Sequence, residues 1–148
     1  MINILLFTSQ DLGNDVVPFL RARRDVRLWV VTRRTKRDEI YGYRSTFDLC
    51  LRDGVPMIAA KPFEEEFFAE VEKIAPDLVV CAFYPRIFPT RLLKIPPLGC
   101  ITVHPGRLPD YRGPFCTPWC ILNGESEIGI TLHYMDAGID TGEIWMPA

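Results

Sequence analysis

Two patterns of apolar positions alternate along the chain. Residues 2–7 form an apolar run of strand length, residues 15–24 carry apolar side chains at helical spacing, and residues 26–32 form a β-branched run. This order is typical of a βαβ unit. The same patterns predict helices at 41–52, 63–74, 90–93 and 118–122, and strands at 56–59, 78–83, 99–103, 129–135 and from 143. The chain is therefore predicted to be an α/β protein with an open, mostly parallel sheet and helices on both faces.

Composition agrees with one globular domain over residues 1–148. Hydrophobic residues make up 48% of the chain and charged residues 24%, close to the averages of soluble proteins. No apolar run approaches the roughly 20 residues of a membrane span, and the N-terminus resembles a strand more than a secretory signal, so we expect a cytoplasmic protein. The five cysteines show no Cys-x-x-Cys spacing, which predicts reduced, buried thiols and no metal site.

The charge balance does not indicate nucleic acid as a partner, because the formal net charge is −2. Basic residues cluster at 21–27 and at 33–37, and acidic residues at 64–72. We interpret these mainly as solvated helix and loop surface.

Residues suited to acid–base chemistry follow two of the predicted strands. His104 comes directly after the strand at 99–103, and Asp136 and Asp140 follow the strand at 129–135. Ligands of open α/β sheets bind at the carboxyl ends of the strands. An imidazole beside a carboxylate can move a proton during attack on a carbonyl. The plainer alternatives are a loop histidine that caps a helix and a carboxylate that caps its own loop.

Two segments carry a family resemblance. Residues 99–113 read GCITVHPGRLPDYRG, and residues 129–143 contain Gly-Ile-Thr-Leu-His and Asp-Thr-Gly. They resemble the catalytic domain of the folate-dependent formyltransferases, a family that acts on methionyl-tRNA, glycinamide ribonucleotide or amino-sugar nucleotides. The resemblance implies a Rossmann-like domain that transfers a formyl group from 10-formyltetrahydrofolate to an amine, and it implies that the chain is short at the C-terminus relative to the family domain.

The resemblance also implies catalytic residues. The family uses an Asn, a His two residues later and an Asp after the next strand; His104 and Asp140 match the last two. Thr102 stands where the family has the Asn, and Gly106 stands where it commonly has Ser. His104 would donate to the oxyanion or shuttle the proton, and Asp140 would hold a water or favour the protonated imidazole. Thr102 leaves open a slower enzyme, an enzyme with altered chemistry or a water-bridged donor, or a folate-binding domain without turnover.

Two groups of residues are expected to bind the substrates. For the folate pterin, the resemblance implies Phe83, Tyr84, Arg86, Ile87 and Phe88 on one wall, and Ala137, Gly138 and Asp140 on the other. Alternatively, Phe83, Ile87 and Phe88 belong to the core. For the acceptor, we expect Ser9, Arg112 and His133, with Arg112 either meeting a phosphate or forming a surface salt bridge. The His133 side chain points either toward the site or into the core.

The acceptor and any protein partner are left as alternatives. The Phe-Tyr-x-Arg sequence at 83–86 resembles the amino-sugar nucleotide enzymes, so a small nucleotide-linked amine is our first expectation. The basic cluster at 33–37 keeps a methionyl-tRNA formyltransferase as the alternative. An open sheet edge predicts a second copy of the chain or a further domain that covers it.

Overall fold

Six strands form one sheet at the centre of the protein. They are β1 (Ile2–Thr8), β2 (Val26–Val31), β3 (Leu78–Ala82), β4 (Cys100–His104), β5 (Thr131–Tyr134) and β6 (Ile144–Pro147). The strand order is β2-β1-β3-β4-β5-β6; the first four are parallel, and β5 and β6 are antiparallel to their neighbours. The computed structural model describes residues 1–33 and 40–147, so most of the basic cluster at 33–37 lies outside the described residues.

Helices cover both faces of this sheet, as predicted. The helices with described bounds are α1 (Gln10–Arg21), α2 (Thr46–Asp53), α3 (Glu65–Ile74), α4 (Thr90–Leu93) and α5 (Cys116–Leu122). Val17 of α1 and Leu49 of α2 pack on one face. Phe67 of α3 and Leu92 of α4 pack on the other. The predicted Rossmann-like α/β fold is confirmed.

Three elements differ from the predictions by more than two residues at one end, or in kind. Helix α1 begins at Gln10 rather than at residue 15, because the Gln10 carbonyl accepts from the Thr46 hydroxyl at 2.8 Å and from the Asn14 amide at 3.0 Å. Helix α2 begins at Thr46 rather than at residue 41, because the Ser45 hydroxyl accepts from the N–H of Asp48 and caps the helix. The predicted strand at 56–59 is reduced to one parallel bridge between Val30 and Met57.

An aromatic cluster fills the core under the face that carries α3. Phe7 is fully buried, and its ring centroid lies 4.5 Å from Phe88, 5.2 Å from Tyr84, 6.0 Å from Phe67 and 6.1 Å from Phe63. Edge-to-face and tilted contacts dominate, as expected for packed aromatic rings. This cluster ties the end of β1 to the segment that follows β3.

The cysteines behave as predicted, and α5 is unusual in its exposure. All five thiols are buried and unpaired. No helix in the part of the chain that the structure describes is long and apolar enough to span a membrane. On α5, by contrast, Trp119, Ile121 and Leu122 are exposed, as is Phe115 at its N-cap. A second copy or a further domain on the open side of the sheet stays a prediction.

Candidate active site

Three predicted site residues share one face at the carboxyl edge of the sheet. His104 is the last residue of β4, and Thr102 lies two positions earlier, so their side chains point to the same side. His133 of β5 is the register partner of Thr102. All three residues are buried, with exposed fractions of 6%, 8% and 2% for His104, Thr102 and His133. The strand pairing therefore brings the three together.

Asp140 completes this group from the loop between β5 and β6. Its Oδ2 lies 3.5 Å from His104 Nδ1, and its Oδ1 lies 3.5 Å from His133 Nε2. The Gly113 N–H donates to Oδ2 at 2.8 Å and fixes the carboxylate from a third direction. The backbone of Asp140 is left-handed, with φ of 51°, which a non-glycine residue adopts only when its surroundings hold it there.

Hydrogen bonds to main-chain carbonyls set the tautomer of each histidine. His104 Nε2 lies 2.6 Å from the Tyr111 carbonyl oxygen, and His133 Nδ1 lies 2.7 Å from the Tyr134 carbonyl oxygen. A carbonyl oxygen only accepts, so these two nitrogens carry the protons. In each neutral ring the bare nitrogen then faces Asp140. A further proton on either ring would lie against this carboxylate.

The nitrogen of His133 that faces Asp140, Nε2, is a buried polar atom without a hydrogen bond from the described residues. A buried polar atom without a partner is uncommon and marks a place where a proton, a water or a ligand is accommodated. His133 thus faces the site and not the apolar core.

Cys81 joins the site to the segment expected to bind folate. It is the register partner of Thr102 on the neighbouring strand β3. Burial raises the pKa of the Cys81 thiol; the Thr102 hydroxyl and the Tyr84 main chain oppose this rise by hydrogen bonding, and the charge of Asp140 adds to it. Thr102 and Cys81 are thus neighbours inside the sheet.

Cys116 is a neighbour of His104 that sequence reasoning did not single out. Its Sγ lies 3.4 Å from His104 Nε2, and the carbonyl oxygens of Gly113 at 3.1 Å and Tyr111 at 3.3 Å are the two acceptors within reach of its single S–H. Burial is the main cause that raises the pKa of this thiol, so it is neutral near pH 7. Its only signal in the sequence is a cysteine just before the helix predicted at 118–122.

The segment expected to bind the pterin is split between core and surface. Phe88 is 3% exposed and belongs to the aromatic core, whereas Phe83 and Ile87 are 52% and 72% exposed. Tyr84 is half-buried against Phe7. The Arg86 guanidinium lies 4.9 Å from the ring centroid of Phe63. The apolar side chains that this segment presents to solvent are therefore Phe83 and Ile87.

The remaining predicted residues lie around this edge. The Ser9 hydroxyl donates to the Phe83 carbonyl oxygen at 2.7 Å and joins the ends of β1 and β3. Arg112 is exposed, next to Gly113 in the loop that holds Asp140. Ala137 and Gly138 are also exposed. Asp136 caps its own loop, since it accepts from the Gly138 N–H and the Thr141 hydroxyl, and its pKa is lowered chiefly by the Thr141 bond.

Comparisons with known proteins place this chain in a family. The formyl transferase family model matches residues 33–148. A methionyl-tRNA formyltransferase of Syntrophus aciditrophicus is 45% identical over 91 residues, which cover 61% of this chain and 29% of that protein. The chain belongs to the formyl transferase family, and the family predicted from the sequence is confirmed.

Solved structures share the fold. Glycinamide ribonucleotide transformylase 1 of Geobacillus kaustophilus superposes with a TM-score of 0.81 at 24% identity, covering 100% of this chain and 81% of that one. A 4-N formyltransferase of Francisella tularensis gives a TM-score of 0.70 at 22% identity and covers 99% and 55%. The chain spans less than a third of the length of the Syntrophus relative.

Proposed function

We propose that this chain forms the catalytic part of an enzyme that transfers a formyl group from 10-formyltetrahydrofolate to an amine. The observation that carries the proposal is the Asp140 carboxylate between His104 Nδ1 and His133 Nε2, at 3.5 Å from each. Membership of the formyl transferase family supports the same reaction class. The group is buried but not sealed, because the Asp140 side chain keeps 20% of its surface exposed.

The chemistry requires one proton to move. When bound, 10-formyltetrahydrofolate supplies the activated formyl carbonyl. The acceptor nitrogen loses a proton as its bond to the formyl carbon forms, and the leaving nitrogen of the folate gains one. His104 Nδ1 and His133 Nε2 are the sites that take up a proton, and Asp140 stabilises the resulting imidazolium by its charge. Proton transfer by a positioned side chain contributes about 10²–10⁴-fold to a rate.

The residues at the carboxyl edge suit a flat heterocyclic donor. Phe83 and Ile87 offer exposed apolar surface next to Tyr84, and the loop with Ala137 and Gly138 offers exposed main chain. Pockets for such ligands combine apolar walls with a few polar groups. We propose these residues as the donor site, and Ser9, Arg112 and His133 as the side that meets the acceptor.

For the acceptor, the curated relatives favour methionyl-tRNA, because the Syntrophus protein at 45% identity is named for that substrate. A nucleotide-linked amino sugar is the second candidate. It is favoured by the Phe-Tyr-x-Arg segment and by the exposed Arg112, a side chain suited to binding a phosphate. Parallel assays with the two acceptors decide between them.

The test measures formyl transfer by variants of His104 and Asp140. His104→Ala and Asp140→Asn are expected to lower kcat/KM by at least about 10²-fold, measured as formylated amine by mass spectrometry. Asp110→Asn is the matched control, since Asp110 is an exposed carboxylate in the loop that follows His104. Unchanged turnover in both site variants would overturn the proposal. Folate binding by calorimetry without product from any amine would instead identify a binding module.

A further inference from the structure

The Nε2 edge of His104 rests against a position that has no side chain. A Cβ placed at Gly106 would lie 2.8 Å from His104 Nε2, 2.8 Å from the Tyr111 carbonyl oxygen and 3.1 Å from Cys116 Cβ. These are the three groups that surround the hydrogen bond from Nε2 to Tyr111. The space where a side chain would stand is therefore the space that this hydrogen bond uses.

The backbone conformation of Gly106 does not itself require glycine. Gly113 in the same loop has φ of 83°, whereas Gly106 is not among the residues with positive φ. Its missing side chain is accordingly explained by the imidazole contact and not by the Ramachandran preference of glycine.

The main chain at Gly106 is also held in place. Its N–H donates to the His104 carbonyl oxygen at 2.9 Å, and its own carbonyl oxygen accepts from the buried Thr131 hydroxyl at 2.7 Å. Thr131 pairs with His104 across β4 and β5. Since position 106 is fixed to the sheet, an added Cβ is relieved by movement of the imidazole or of the Tyr111 carbonyl.

We propose that Gly106 is a positioning residue: its open side admits the imidazole of His104, keeps Nε2–H on the Tyr111 carbonyl and so leaves Nδ1 facing Asp140. The proposal rests on the proposed function in so far as His104 moves the proton. The titratable groups around the ring are Asp140 at Nδ1, the Cys116 thiol at Nε2 and His133, whose ring centroid lies 6.1 Å away.

The spectroscopic test uses the fact that the chain has two histidines. Long-range ¹H–¹⁵N correlation spectra of the whole chain, recorded where both rings are neutral, are expected to show His104 protonated at Nε2 and His133 protonated at Nδ1. Gly106→Ala is expected to mix or reverse the tautomers of His104 and to leave His133 unchanged. A wild-type His104 protonated at Nδ1 would overturn the proposal, whether or not the variant folds.

Gly54→Ala is the matched control. Gly54 ends α2 with φ of 63°, and a Cβ there meets nothing within 4 Å, so alanine strains the backbone away from the site. It should reproduce a loss of stability without any change in the His104 resonances. If both alanine variants changed those resonances alike, destabilisation would be the cause and the proposal would fail.

Activity gives the second readout. A shift of the imidazole by about 1 Å predicts a loss of roughly 10²-fold in kcat/KM for Gly106→Ala, with an altered pH profile. If the wild type formylates no amine, the proposed function fails while the tautomer measurement still decides the role of Gly106. If transfer is normal and the His104 spectrum of the variant is unchanged, only the positioning role fails.

Discussion

Replacing Thr102 by asparagine should accelerate formyl transfer. Thr102 lies between Cys81 and His133 in the register of the sheet. The threonine hydroxyl is attached directly to Cβ, so it reaches only a short way toward a charge that develops near Asp140. An asparagine amide nitrogen lies one bond further from Cβ, about 1.3 Å, and donates two hydrogens.

The size of the expected rate increase follows from the rate that enzymes lose when one hydrogen-bond donor to the oxyanion is removed. Removing one oxyanion donor lowers kcat by about 10²–10³-fold in other enzymes, so restoring one is expected to raise kcat/KM by about 100-fold. The folding cost is small by comparison. Asparagine in a strand is less favourable than threonine by up to about 1 kcal/mol, because the scale of strand preferences spans roughly this range.

The assay compares three proteins at saturating donor. Wild type, Thr102→Asn and Thr102→Val are measured for formylated amine, and their unfolding is followed in urea. Valine keeps the shape of threonine without the hydroxyl, so it should stay close to the wild-type rate. A loss of activity in both variants would refute the reasoning, because it would mean that the site is built around the hydroxyl.

Two further predictions concern the core. Burial raises the pKa of Cys50 to about 11 and of Cys100 to about 12, so native protein should react slowly with Ellman's reagent at pH 8, and urea should expose all five thiols. Rapid labelling of the native state would contradict this burial. Because the thiols of the unfolded chain lose their protons at lower pH than the buried thiols, the free energy of unfolding in urea should fall as the pH rises from about 9 toward 11–12. Phe7→Ala should lower the free energy of unfolding by about 3–5 kcal/mol in urea, whereas Phe19→Ala, at an exposed position of α1, should change it little; equal effects would contradict the aromatic core.

Much of the fold could be predicted because its strands are continuous apolar runs. Residues 4–8 of β1 are all buried, as are Val79, Cys81 and Ala82 of β3, and such runs have one plausible place in a parallel sheet. Helix boundaries were less predictable, since they depend on contacts distant in sequence. Helix α1 extends to Gln10 because Thr46 supplies a hydrogen bond from another helix. No local pattern around residue 10 contains that information.

For the site, the residue types could be predicted from the sequence, whereas their geometry could not. The motifs predicted His104 and Asp140 as site residues. Which ring nitrogen faces the carboxylate depends on the Tyr111 and Tyr134 carbonyls, and a sequence does not reveal the direction of a main-chain carbonyl. Gly106 stands where the family resemblance implies a serine, and the closeness of the His104 ring to this position accounts for the difference. Where a family motif loses a side chain beside a catalytic ring, the first hypothesis should be that the ring occupies the space, and the tautomer of that ring is the property to measure.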